Sequence, residues 1–244
     1  VSIERMRGAR LADLAWTEVR SSLEGRVAVL PIGAAAKEHG PHLPMDTDYR
    51  TAEALGRLAA ERERVLVWPT VGYGHYPAFV EYAGSTSVGE ATFAALLRDL
   101  VGDLARAGAA HVLLWNTGIS TIRSVEAAVE HAPIPAAALH VYRGARYLDA
   151  VAAVCVQERG GHADEAETSV MLHLEPACVR LENAVAWTRA VPPGRWSPDD
   201  PASPRYAPHG VYGDPTLATA DKGARLVDAM LDDLASALAA LRAP

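Results

Sequence analysis

Four short apolar runs without polar alternation, Arg26 to Pro31, Arg64 to Pro69, Ala110 to Trp115 and Pro135 to Tyr142, constrain this chain more than any other feature. A strand with one wet face alternates apolar and polar residues. A run that does not alternate is covered on both faces, as in a parallel sheet sandwiched between helices. The segments between the runs carry helical spacing. Phe93, Leu96, Leu97, Leu100 and Leu104 fall on one stripe, and Ser87-Val88-Gly89-Glu90 ahead of them has the form of a capping box. A last stripe, Leu226, Met230, Leu234, Leu238 and Leu241, predicts a long helix near the end of the sequence. Strand and helix in alternation predict an α/β fold, a three-layer sandwich with a mostly parallel central sheet flanked by helices. With 244 residues, half of them apolar, the chain has enough material for one sizeable core. Residues 1–244 therefore read as a single domain. Seven prolines from Pro192 to Pro215 mark a long irregular connection, a candidate lid or subunit contact.

Composition excludes two classes of partner. The formal charge is -7, and lysines and arginines are scattered singly, so no basic stripe is available to neutralise phosphates and no nucleic acid is expected. No stretch of about 18 consecutive apolar residues occurs, and Val1 to Arg20 alternate charged with apolar groups instead of forming a signal peptide. No membrane attachment and a cytoplasmic location are the expectation. Cys155 and Cys178 lack a CxxC spacing and read as buried core thiols.

Chemistry concentrates just after the first apolar run. Lys37-Glu38-His39-Gly40-Pro41-His42-Leu43-Pro44-Met45-Asp46-Thr47-Asp48 crowds imidazoles and carboxylates, the ligands that zinc and manganese favour, among glycine and prolines that bend the backbone. In an open parallel sheet, ligands bind beyond the carboxyl ends of the strands. The second run leads to Tyr73, Gly74 and His75 and the third to Asn116-Thr117-Gly118-Ile119-Ser120, so one crevice is expected to gather all three segments. A further cluster, Gly160-Gly161-His162-Ala163-Asp164-Glu165-Ala166-Glu167-Thr168-Ser169, precedes apolar residues and predicts a helix start, with His162 and Glu165 on one face.

These segments together resemble the creatininase (creatinine amidohydrolase) family. Its opening signature, PxG and then ExHGPHLP and an Asp at a helix start, is matched by Pro31-Ile32-Gly33, Glu38-His39-Gly40-Pro41-His42-Leu43-Pro44 and Asp48. Its fPGT segment is matched by Tyr82-Ala83-Gly84-Ser85-Thr86, and its HAGExETS segment by His162-Ala163-Asp164-Glu165-Ala166-Glu167-Thr168-Ser169. The resemblance implies a metal-dependent hydrolase of amide bonds, often cyclic amides, in a small-molecule substrate and a homo-oligomer, commonly a hexamer. It also implies that His39, Asp48 and Glu165 hold a divalent ion, zinc or manganese, with Asp48 bridging to a second ion where one is present. His162 matches the family's catalytic histidine, expected to carry a proton to the leaving nitrogen.

Two positions depart from the pattern. Where the family has a Glu two residues before the first His, this chain has Lys37, leaving Glu38 to serve if the loop bulges. Where the family has Asn-Gly-His after the third strand, this chain has Asn116-Thr117-Gly118 and lacks that ligand. One or two ions per chain are therefore open. Lys37, Tyr73, His75, Asn116, Thr117 and Ser120 are the expected substrate contacts. Amide hydrolysis by metal-activated water leads. Metal-dependent ring opening, isomerisation or dehydration is a second reading, and a non-catalytic binding homologue that has lost one metal site is a third.

Overall fold

The computed structural model describes residues 7–243. Its centre is a five-stranded sheet of β1 (Ala9–Arg10), β2 (Val27–Ile32), β3 (Val65–Val67), β4 (Val112–Asn116) and β5 (Ala136–His140), in the order β1-β3-β2-β4-β5. All four pairings are parallel. The helices are α1 (Val19–Leu23), α2 (Thr47–Arg62), α3 (Glu90–Ala107), α4 (Ile122–Glu130), α5 (Ala145–Val154), α6 (Glu165–Leu174) and α7 (Ala220–Arg242). The four apolar runs become β2 to β5. The edge strand β1 is two residues long and carries no run that a periodicity argument can detect.

Both faces of the sheet are covered, which is why the runs do not alternate. On one face Val27, Val29, Leu113 and Trp115 pack against α2, α6 and α7 through Leu55, Val170, Leu226, Met230 and Leu234. On the other, Ala28, Leu30, Ile32 and Leu114 meet Phe93, Leu97, Val101 and Leu104 of α3 and Val125 of α4. The period of two survives as a choice of which apolar layer each residue enters. Leu96, placed on the α3 stripe by spacing, lies at its edge and is 40% exposed. Ser87 does not cap α3: Gly89 is the N-cap, and the Ser87 hydroxyl accepts the Tyr76 N–H instead. The two cysteines are half-buried, not fully enclosed. Cys178 lies against Arg50, and burial pushes the Cys155 thiol up to about 12.

One buried acid outside the site ties two helices together. Asp233 on α7 accepts the N–H groups of Arg146 and Tyr147 at 3.1 and 3.0 Å, so a neighbouring helix caps the start of α5. Gly144 leaves room for this carboxylate, which a Cβ there would strike. Asp233→Ala is expected to cost about 1–2 kcal/mol, read as a lowered melting temperature.

The chain runs from β2 through α2 to β3 on one side, and from β4 through α4 to β5 on the other. The carboxyl ends of β2 and β4 are thus where the connections diverge, and such a switch point opens a crevice. Pairing of Ile32 with Asn116 sets these ends level. Thr117 then locks the two loops by donating its N–H and Oγ1–H to the Ile32 carbonyl, both at 3.0 Å. Among the described residues, no helix is long and apolar enough to cross a membrane.

Candidate metal centre

The loop after β2 folds back so that its polar side chains point into the protein. Gly40 takes φ +69°, a left-handed turn that a residue with a side chain rarely adopts. Lys37, Glu38, His39, His42 and Asp48 are all buried as a result, an expensive arrangement unless each finds a partner. His42 Nε2 lies 2.8 Å from Thr168 Oγ1, and burial with the neighbouring His39 pushes its pKa down to about 4, so it serves as a neutral prop between loop and α6.

Around this loop one donor atom from each of His39, His162 and Glu167 lies within 4.8 Å of the others. The hydrogen bonds set the tautomers that metal binding requires. His39 Nδ1 is 3.0 Å from the Lys37 carbonyl and Nε2 is 3.1 Å from Asp48 Oδ1; both oxygens accept, and the tautomer that donates from Nδ1 is the one that leaves Nε2 a lone pair for an ion. His162 Nε2 is 3.1 Å from the Glu38 carbonyl and 3.2 Å from Glu38 Oε2, which makes Nε2 the donor and leaves Nδ1 open on the side of Glu167, 3.8 Å away. A metal-bound histidine is fixed in this way, one nitrogen donating to a carbonyl or carboxylate and the other facing the ion. Two imidazoles and a carboxylate are a donor set suited to zinc or manganese, and these three residues fit one divalent ion.

His162 reaches this position by a strained turn, not by membership of a helix. It bridges antiparallel to Tyr212, and Ala163 after it has φ +47°. The Ala163 N–H donates to Glu167 Oε2 at 2.5 Å. Asp164 is the N-cap of α6, accepting from Ala166 and Glu167. Burial and the adjacent Glu167 push Asp164 up to about 6. Burial lowers the pKa of His162, but Glu38 and Glu167 outweigh this and the net direction is upward. Phe79 and Trp196 pack on the His162 ring with centroids at 4.4 and 5.5 Å. Trp196 belongs to the proline-rich connection, whose Ala207 also joins Ala34, Tyr76 and Phe79 in a small core over the site.

Several expected site residues are placed elsewhere. Glu165 is fully buried, but its carboxylate accepts the N–H groups of Val156 and Gln157 and pairs with Lys222 at 2.5 Å. Glu165 and His162 therefore do not share a face, and the carboxylate of this segment that approaches His39 and His162 is that of Glu167. The reason is the Asp164 cap, which starts the helix after His162 and turns Glu165 away from it. Glu38 is close, but its carboxylate is held by His162 and the Gly40 N–H. Asp48 lies beside the group, with Oδ1 3.1 Å from His39 Nε2 and Oδ2 2.5 Å from Lys37 Nζ. Burial alone would raise its pKa, but Lys37 and His39 hold it below the ordinary carboxylate range.

A cavity of about 320 Å³ opens beside the group, lined by Lys37, Tyr76, Phe79, Thr117, Ser120, His162, Glu167 and Trp196 among others. Thr117 and Ser120 line it as expected. Tyr73 and His75 do not: Tyr73 is 55% exposed, and His75 Nδ1 bonds to the Val88 carbonyl. Asn116 is occupied by its own turn and by β5, accepting from Gly118 and Thr121, donating to the Gly118 carbonyl and lying with Nδ2 3.1 Å from His140 Nδ1. A second chamber of about 400 Å³ shares Ile119, Gly161 and Glu167 with the first and is walled by Tyr142, Tyr147, Leu148 and Val151. Sequence reasoning missed Glu167, Tyr76, Phe79 and Trp196 as site residues. Glu167 alone stood in a quoted motif.

Comparison with known proteins agrees with this architecture. The family model for creatininase, creatinine amidohydrolase, matches residues 12–238. A mycofactocin precursor peptide peptidase of Mycobacterium tuberculosis is 34% identical over 217 residues, covering 84% of this chain and 81% of that protein. A creatinine amidohydrolase of Pseudomonas putida is 26% identical, over 93% of this chain and 95% of its own length. Among solved structures, a tryptophan-to-phenylalanine variant of creatininase superposes with a TM-score of 0.84 at 24% identity, covering 96% of this chain and 99% of its own. Creatininase structures in manganese and in zinc–zinc form each superpose at 0.79, with 22% and 23% identity. They cover 98% and 96% of this chain, and 100% and 98% of their own. With the family model spanning nearly the whole sequence and a relative 34% identical over most of both chains, this chain belongs to the creatininase family.

Proposed function

We propose that this protein hydrolyses a carbon–nitrogen amide bond, in a peptide-like substrate, with one divalent ion held by His39, His162 and Glu167. The observation that carries the reading is the convergence of these three donors at a cavity of about 320 Å³. Such an ion, when bound, lowers the pKa of a coordinated water and polarises a carbonyl. The chain's own groups supply the rest. Glu38 orients the His162 ring through Nε2, and Phe79 and Trp196 pack on that ring and exclude water from it. Lys37 presents a buried ammonium to the cavity, where it is placed to attract the carbonyl oxygen as negative charge builds on it. Thr117 and Ser120 line the same wall. His162 is reassigned from proton carrier to ligand, because its proton-bearing nitrogen is committed to Glu38.

Peptide-like substrates fit better than very small ones for two reasons. The relative named as a peptide peptidase is closer in sequence than the one named as a creatinine amidohydrolase. A second chamber of about 400 Å³ also borders the site, sharing Ile119, Gly161 and Glu167 with the first, and offers room for side chains of a larger substrate. A homo-oligomer, a hexamer by family resemblance, is the assembly we infer, and light scattering measures it directly. The chemistry is tested by incubating the purified protein, with and without manganese or zinc, with creatinine and a panel of N-acyl dipeptides, and weighing the products. A metal-dependent gain of one water on a dipeptide is expected. Conversion without mass gain would replace hydrolysis by isomerisation, and metal binding with no turnover of any amide would favour a binding role.

A further inference from the structure

The position where the family resemblance implies a second metal ion is filled here by the protein itself. Asp48, the residue expected to bridge two ions, is completely buried, and its two oxygens face different partners: Oδ1 faces His39, and Oδ2 lies 2.5 Å from Lys37 Nζ. Lys37 stands where a ligand Glu is expected, and its ammonium is 5% exposed as a residue, 5.1 Å from the Phe79 ring centroid and 5.7 Å from that of Tyr76. Among the described residues Oδ2 accepts no aligned hydrogen bond, so the ammonium is what balances its charge. The third expected ligand of that ion is missing as well, since Gly118 has no side chain. A divalent ion on Oδ2 would have to share the space of the ammonium against its repulsion in a dry pocket.

We infer that the Lys37 ammonium is a built-in cation of this centre, standing against Asp48 in place of one metal ion, so that the protein holds at most one divalent ion per chain. The inference rests on reading the pocket as a metal centre only for the ion that remains. A carboxylate buried this deeply requires a positive partner. A covalently attached one cannot be removed by chelators or lost by dilution.

Two measurements test this on the intact chain. The first is metal content after equilibration with manganese or zinc, for the native protein and for the double variant Lys37→Glu/Gly118→His. At most one ion per native chain is expected, with one more in the variant. Two ions per native chain would overturn the inference. No ion in the native chain but one in the variant would sustain it while sinking the His39, His162 and Glu167 centre of the proposed function. Because a Cβ at Gly118 would meet Thr121 Oγ1 at 2.5 Å and the double variant risks misfolding, Lys37→Ala is melted separately. In chelator it is expected to melt roughly 10 °C below the native protein. Ethylammonium or manganese is expected to restore much of the loss. A Lys37→Ala protein that melts like the native one, and responds to neither cation, would show that Asp48 needs no charge at that point and would overturn the inference.

Discussion

Glu167→Gln is expected to abolish metal retention while leaving the fold in place. The amide keeps the shape of the carboxylate and can still accept the Ala163 N–H, so the turn that presents His162 persists. What disappears is the anionic donor of the trio. An ion acting on a carbonyl contributes several kcal/mol of transition-state stabilisation, so amide hydrolysis should fall by roughly 10³-fold. The measurement is metal content by mass spectrometry alongside turnover of the best substrate found, with the melting temperature as the control for folding. A variant that still binds its ion at native affinity would move the ligand role to Asp48 or Glu38 and dismantle the proposed centre.

The neighbouring acid should behave in the opposite way. Glu165→Ala is expected to destabilise the protein by about 3 kcal/mol, equivalent to a drop of about 6–12 °C in melting temperature for a chain of this size, with metal content unchanged. The Glu165 carboxylate is fully buried and holds Val156 N–H, Gln157 N–H and the Lys222 ammonium. Truncation leaves these donors without their acceptor and strands a half-buried charge. Adding Lys222→Met to Glu165→Ala should recover part of the loss, because it removes the unpaired ammonium that makes the single change costly. A Glu165→Ala protein of native stability that had lost its metal would restore the ligand assignment drawn from the sequence motif. The two glutamates, two residues apart on one helix, thus separate a metal ligand from a structural acid by opposite readouts.

Lys37 bears both on what the pocket can hold and on what it can admit. As a surface lysine it would be worth little, but a buried ammonium against a buried carboxylate changes what the pocket can bind. The same residue lines the cavity, so one positive charge both lies against Asp48 and faces the space that a substrate would enter in the proposed reaction. If the inference holds, the centre takes one divalent ion, and the donors that would hold it, His39, His162 and Glu167, include a residue of α6 outside the opening motif.

The architecture was legible in the sequence because it depends on patterns that are local and repeated. Apolar runs without alternation announce strands covered on both faces, and the stripes of α3 and α7 announce the helices that cover them. The loop from Lys37 to Asp48 was legible for a different reason. Imidazoles and carboxylates are rarely crowded beside glycine and proline without a chemical use, and their spacing is short enough to read along the chain. Tertiary structure alone decided which of these groups meet. Glu165 and Glu167 are equivalent by composition, and the Asp164 cap and the positive φ of Ala163 determine which one turns towards His162. Tyr76, Phe79 and Trp196 come from segments far apart in sequence and carry no signal other than being apolar, so their packing over the site is visible only once the chain is folded. Asn116 and His75 look like substrate contacts in the sequence, yet their hydrogen bonds go to other protein groups, Asn116 to its own turn and to His140, and His75 to the Val88 carbonyl. Sequence determines which chemistry is available, because residue type sets donor, charge and pKa. Whether that chemistry reaches a ligand is set by the hydrogen bonds each buried polar group must satisfy, and these partners are distributed across the whole chain.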